Sequence, residues 1–210
     1  KRLQEGSSFT PETVIHQVLN AQSKLLNLEF SPMKNKPMSR SYDLNALNIN
    51  CNMPLVIKSV LGFNECWNKM KEDDPPQSLN ILLYGNPGTG KSEFARYVSR
   101  LLDRPLITKT ASSLLSCYLG ETEKSIKNAF DEAAESGSIL FFDEADSFLS
   151  DRTGAQKQWE ITQVNELLMR MEHFKGIFIA ATNFNEHLDS ACRRRFPIKI
   201  GFDYLKSDGI

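Results

Sequence analysis

Apolar residues along this chain alternate between two rhythms. Short unbroken runs, Ile81-Leu82-Leu83-Tyr84, Ile139-Leu140-Phe141-Phe142 and the stretch from Ile177 to Ala181, read as strands buried on both faces. Between and after them apolar positions recur every three or four residues: Phe94, Val98 and Leu101; then Ile126, Ala129, Phe130, Ala133 and Ala134; then Ile161, Val164, Leu168 and Met171. That spacing predicts helices laying one face on a sheet. Pro105 to Lys109 and Ile198 to Phe202 supply two more strands. From Leu79 onward the pattern therefore predicts an α/β fold, a mostly parallel five-stranded sheet flanked by helices.

The first third of the chain has a different texture. Thr10 and Pro11 suit an N-cap and a first helical residue, and Val14, Val18, Ala21, Leu25 and Leu28 then share one face of a helix of about five turns. Residues 31–41, with Pro32, Pro37, Lys34, Lys36 and Arg40, read as a linker whose basic residues are solvated. A second helix is expected from about Pro54 to Met70, ended by Glu72-Asp73-Asp74-Pro75-Pro76. The division that follows is an N-terminal helix and linker over 1–40 and an α/β domain over 41–205, with its motifs between 79 and 202. There is no internal repeat and no low-complexity tract.

The chemistry enters directly after the first strand, in Gly85-Asn86-Pro87-Gly88-Thr89-Gly90-Lys91-Ser92. This is a complete phosphate-binding loop in its required setting, a strand before and a helix after. Glycines allow a tight turn that brings backbone N–H groups close to phosphate oxygens. Lys91 can reach the β- and γ-phosphates, and the Ser92 hydroxyl can ligate Mg²⁺. The helix N-terminus adds partial positive charge. The strand at 139–142 ends in Asp143-Glu144, and in open α/β sheets ligands sit beyond the carboxyl ends of the strands. Taken alone the two acids also fit a helix cap. Paired with the loop they read as a metal ligand, Asp143, and the residue that polarises the attacking water, Glu144.

Composition narrows the partners. Of 210 residues 40% are hydrophobic and 24% charged, with a formal net charge of -1, which argues against nucleic acid as the main partner. No apolar run approaches the ~18 residues a membrane helix needs, and Lys1-Arg2-Leu3-Gln4-Glu5 lacks the apolar core of a signal peptide. The expectation is a soluble, cytoplasmic molecule without a transmembrane segment. Cys51, Cys66, Cys117 and Cys192 are scattered and read as reduced thiols; His16, His173 and His187 form no zinc motif. A chain beginning with Lys reads as part of a longer protein.

Over residues 79–205 the motifs, in their order, resemble the AAA ATPases within the wider AAA+ class of ring-forming motors. Ala180-Ala181-Thr182-Asn183 is similar to that family's sensor-1 strand, which implies that Asn183 positions the attacking water and senses the γ-phosphate; Asn is also a common turn-former after a strand. Leu188-Asp189-Ser190-Ala191-Cys192-Arg193-Arg194-Arg195-Phe196 resembles the region carrying arginine fingers that reach into the neighbouring subunit's site, which implies Arg194 and Arg195 as the fingers, with Arg193 a further candidate. Guanidinium groups suit charge developing on a transferred phosphoryl group, although three consecutive arginines also fit a solvated face. Ser116 to Lys124 looks like the first pore loop, in which an aromatic and aliphatic pair, here Tyr118 and Leu119, grips a threaded polypeptide. Such a pair is elsewhere more often core. Asn86 stands where most relatives carry proline, without loss of a backbone N–H.

The resemblance implies ATP and Mg²⁺ as cofactors, a protein substrate, and self-assembly into a ring, a hexamer when the family's helical lid is present. That lid is expected beyond residues 206–210, which would begin the connection to it. The leading function is an ATP-hydrolysing motor that unfolds or disassembles proteins. The alternative is a nucleotide-dependent assembly switch with little turnover, favoured by the amphipathic first helix and opposed by a full catalytic set. A nucleic-acid motor or clamp loader sits poorly with the charge, and GTP with the absence of an Asn-Lys-x-Asp sequence.

Overall fold

A computed structural model of the chain describes residues 47–71, 73–118, 120–149, 158–183, 188 and 190–204. The predicted helix with Val14 to Leu28, the linker, Leu119, Asp189 and residues 206–210 lie outside the described residues. In chain order the elements are β1 (Asn48–Ile49), α1 (Met53–Trp67), β2 (Ser78–Gly85), α2 (Lys91–Leu101), β3 (Leu106–Thr110), α3 (Ala111–Leu114), α4 (Glu121–Ser136), β4 (Ile139–Asp143), α5 (Asp146–Leu149), α6 (Gln158–His173), β5 (Gly176–Thr182), α7 (Ser190–Arg195) and β6 (Ile198–Asp203).

Among the described residues the sheet has six strands in the order β1-β6-β2-β5-β4-β3. This corrects the expected five. Strands β2 to β6 are the five foreseen and all pair in parallel, Leu82 opposite Ala180 and Leu140 opposite Phe178, whereas β1 adds antiparallel to β6 through Asn48 opposite Asp203. Two residues carry no periodicity, so β1 exists only through its partner strand. Helix α1 is capped by Asn52, whose side chain accepts from the Leu55 N–H, and ends at Trp67, three residues before Met70.

Period-2 alternation splits the strand side chains between two cores. Ile81, Leu83, Ile139, Phe141, Ile177 and Ile179 face α1 and α2, meeting Val60, Phe94 and Val98. Leu82, Leu140, Phe142, Phe178 and Ala180 face α4 and α6, meeting Ile126, Phe130, Leu167 and Met171. On that side Phe130 lies 5.1 Å from Phe178 and 5.9 Å from Phe142 between ring centroids, the latter edge-on, a geometry aromatic quadrupoles favour. Of the residues marking α6, Val164, Leu168 and Met171 are buried, whereas Ile161 is exposed. Arg104 ties α1 to the core: it lies 3.6 Å above the Trp67 ring and donates to Asn64 Oδ1, Asn68 Oδ1 and the Gly137 carbonyl. Among the described residues no helix is long and apolar enough to cross a membrane.

Candidate functional site

Strand order builds the site. Because β2, β5 and β4 are neighbours and point the same way, their carboxyl ends bring Gly85, Asn183 and Asp143 together from positions far apart in the chain. Gly85 has φ +135°, and a Cβ there would stand 2.0 Å from the Phe202 carbonyl oxygen of β6. Only glycine lets the loop leave β2 this close to its neighbour. The loop then enters α2 through Gly90, at φ 98°, so the N–H groups of the first helical turn, which have no intrahelical acceptor, face the loop's concavity.

Lys91 and Ser92 open α2 and reach into this space. The Lys91 ammonium is buried and donates to the carbonyls of Gly85 (2.6 Å) and Asn86 (2.8 Å) and to Asn183 Oδ1 (3.0 Å). Burial pulls its pKa below the ordinary 10.5, while the charges of Asp143 and Asp146 oppose that shift. The Ser92 hydroxyl donates to Asp143 Oδ2 at 2.7 Å. Thr89 closes the loop on itself by donating to the Asn86 carbonyl at 2.7 Å.

Glu144 sits at φ 54°, a left-handed conformation uncommon for a side chain with a Cβ and frequent at functional turns. Two contacts hold it there: its own N–H donates to Asp143 Oδ1 at 3.1 Å, and the next N–H, of Ala145, donates to the Ala181 carbonyl at 2.8 Å. The turn thereby leans on the end of β5, and the Glu144 carboxylate is left exposed.

The loop, Asp143, Glu144 and Asn183 are thus brought into one site. Arg194 and Arg195 are not. They lie on α7, whose last carbonyl, that of Arg195, accepts from Asn80 near the start of β2. Asn80 is five residues from Gly85, roughly 16 Å along a strand. Arg193 and Arg194 are exposed, whereas the Arg195 guanidinium pairs with Glu172 of α6 and donates to the Ala191 carbonyl. Tyr118 is 69% exposed in the short loop before α4, its N–H donating to Ser116 Oγ, which itself donates to Glu121.

Sequence reasoning passed over Asp146 and Thr182. Asp146 Oδ1 accepts from the Asn183 N–H at 3.0 Å and from the Thr182 hydroxyl, fixing the turn that aims Asn183 at Lys91. Its signal was present in the third acid of Asp143-Glu144-Ala145-Asp146.

The donor set fits a small divalent cation with phosphate oxygens. Ser92 and Asp143 offer two hard oxygens at one point, and among the described residues no group of three or more His, Cys, Asp or Glu could hold an ion alone. Mg²⁺ is bound in that way, by one or two protein oxygens together with substrate phosphates and water.

Comparison with known proteins identifies the family. The family described as "ATPase family associated with various cellular activities (AAA)" matches residues 81–204, more than half of the chain. The chain is 40% identical over 127 residues to the protein Suppressor of K(+) transport growth defect 1 of Arabidopsis thaliana, covering 57% of this chain and 29% of that protein. It is 37% identical over 143 residues to the Cell division cycle protein 48 homolog of Archaeoglobus fulgidus, covering 65% and 19%. To Vacuolar protein sorting-associated protein 4 of Dictyostelium discoideum it is 37% identical over 126 residues, covering 57% and 28%. The chain therefore spans less than a third of the length of each of these relatives.

Proposed function

The chain belongs to the AAA family of ATPases, and on that premise we propose that it is the catalytic part of a Mg²⁺-dependent ATP-hydrolysing motor that works as a ring, a hexamer, on protein substrates. The observation carrying this reading is a pair of contacts at the mouth of the phosphate loop, the Lys91 ammonium donating to Asn183 Oδ1 and the Ser92 hydroxyl donating to Asp143 Oδ2.

The residues divide the work. The loop from Gly85 to Ser92 cradles the phosphates through its N–H groups, with Lys91 on the β- and γ-phosphates. Ser92 and Asp143 would hold Mg²⁺, which neutralises phosphate charge when bound. Glu144, exposed and held by its strained backbone, orients the attacking water and polarises it, and Asn183, steadied by Asp146, fixes that water's position. Arg194 stabilises charge on the transferred group of a neighbouring protomer's nucleotide. The separation of α7 from its own cradle supports delivery in trans. Arg195 joins it in this reading only if its pair with Glu172 opens on assembly.

Tyr118, exposed beside the residue Leu119, supports a substrate-gripping loop and with it a protein substrate. All four cysteines, Cys51, Cys66, Cys117 and Cys192, are free thiols, which fits a reducing compartment such as the cytoplasm.

Two substitutions in the full-length protein test the reading. Glu144→Gln is expected to keep ATP binding, lose turnover by about 100-fold or more, and accumulate as the assembled ring. Tyr118→Ala is expected to keep basal hydrolysis while losing substrate processing. Unchanged turnover in the first, or parallel loss of both activities in the second, contradicts the assigned roles.

A further inference from the structure

Asn80 is out of place by the logic of its strand. It lies in β2 beside the buried run Ile81-Leu82-Leu83, opposite Phe178 of β5, and is itself only 6% exposed. Its Oδ1 has no hydrogen-bond partner among the described residues. A buried amide left half satisfied is costly, and an apolar residue of similar shape would fill the position without that cost.

Its other half has a specific use. Asn80 Nδ2 donates at 3.0 Å to the carbonyl of Arg195, 115 residues away and the last residue of α7. The last carbonyls of a helix have no intrahelical donor. Asn80 satisfies one of them from the floor of the sheet. The remaining anchors of α7 point the same way: Cys192 and Phe196 are buried in the core, and Arg195 pairs with Glu172. With one side of a six-residue helix held at these points, Arg193 and Arg194 stand on the exposed side.

We infer that Asn80 is a positioning residue for the arginine-bearing helix, setting the depth and rotation of α7 so that Arg194 is presented to an adjacent copy of this chain. The inference rests on the proposal that Arg194 acts in trans. It also places the arginine support and the phosphate cradle on one strand, since β2 carries Asn80 near its start and Gly85 at its end.

Asn80→Leu in the full-length protein tests it. Loss of the pin is expected to lower kcat about 10- to 100-fold, the scale set by small misplacements of a group that acts on the transition state. The affinity for ATP and the melting temperature are expected not to fall. The decisive arm mixes Asn80→Leu protomers with Glu144→Gln protomers, whose α7 is intact. Turnover per Asn80→Leu protomer is expected to rise on mixing, because the dead partner supplies correctly held arginines. Arg194→Ala mixed with Glu144→Gln is the control.

If the control rises and the Asn80→Leu mixture does not, Asn80 acts on its own cradle or merely on the fold, and the inference is overturned while the arginine reading stands. If the control itself fails to rise, the arginine reading falls and takes the inference with it. Should Asn80→Leu not fold, Asn80→Ala is carried through the same mixing. Failure of both variants to fold identifies Asn80 as a residue of the fold alone and also overturns the inference.

Discussion

Lys91 carries a charge into a place that disfavours it. Burial lowers its pKa from the ordinary 10.5, with Asp143 and Asp146 opposing, so its desolvation works against folding at every pH below the lowered value. That penalty fades as the pH rises from the lowered value toward 10.5. In the proposed role the same shift limits binding, because only the ammonium can serve the phosphates. Affinity for ATP, measured calorimetrically from neutral to alkaline pH, is expected to weaken before pH 10.5 is reached; a flat profile to that point contradicts the assignment. Asp146 gives a second test at this scale. Removing its carboxylate by Asp146→Ala frees the turn at Asn183 and is expected to lower kcat at least tenfold, with little change in nucleotide affinity. Asp146→Asn keeps an acceptor oxygen and is expected to recover most of the loss in steady-state kinetics. A lysine, a hydroxyl and an acid pair at motif spacing were legible in the sequence. The amide of Asn80 was not, because it acts through a partner distant along the chain, and the third acid, Asp146, was visible without the role that its distant partners Thr182 and Asn183 give it.

Elements follow the same division. Strands β2, β4 and β5 were readable because burial on both faces leaves an unbroken apolar run, and α2, α4 and α6 because a helix on a sheet repeats its contacts every turn. The short pieces were not readable. Strand β1 has two residues and α5 four, too few to show a period, and α7 reads as a basic run until Cys192 and Phe196 are seen in the core. One element junction is fixed by sterics alone. A methyl group on Gly85 would meet the Phe202 carbonyl at 2.0 Å, backbone against backbone, and neither strand can yield without losing the β2 to β6 ladder. Gly85→Ala is therefore expected to cost about 3 kcal/mol or more, beyond the usual range for point substitutions. That corresponds to a fall of roughly 6–12 °C in melting temperature at this chain length. A thermal scan in which the variant melts with the parent contradicts the close approach.

At the scale of the whole molecule, the cradle and the arginines answer to different ends of the same strand. Gly85 closes β2 at the phosphate loop, whereas the carbonyl of Arg195 is held at Asn80. On the proposed reading, one copy of the chain holds the phosphate site and the next copy supplies its arginines. The motif order made the family legible from sequence, and the family match over residues 81–204 agrees with it. The resemblance implied delivery of the arginines to a neighbouring subunit, which the three-residue run by itself does not say, and the way α7 sits in the fold was not legible. The most direct measurement is phosphate release per protomer by the full-length protein, followed against protein concentration at saturating ATP and Mg²⁺. The account predicts that specific activity climbs with concentration to a plateau as protomers assemble, and that Arg194→Ala removes the climb. Activity per protomer that is constant across the range, or the absence of any ATP-dependent phosphate release, contradicts it.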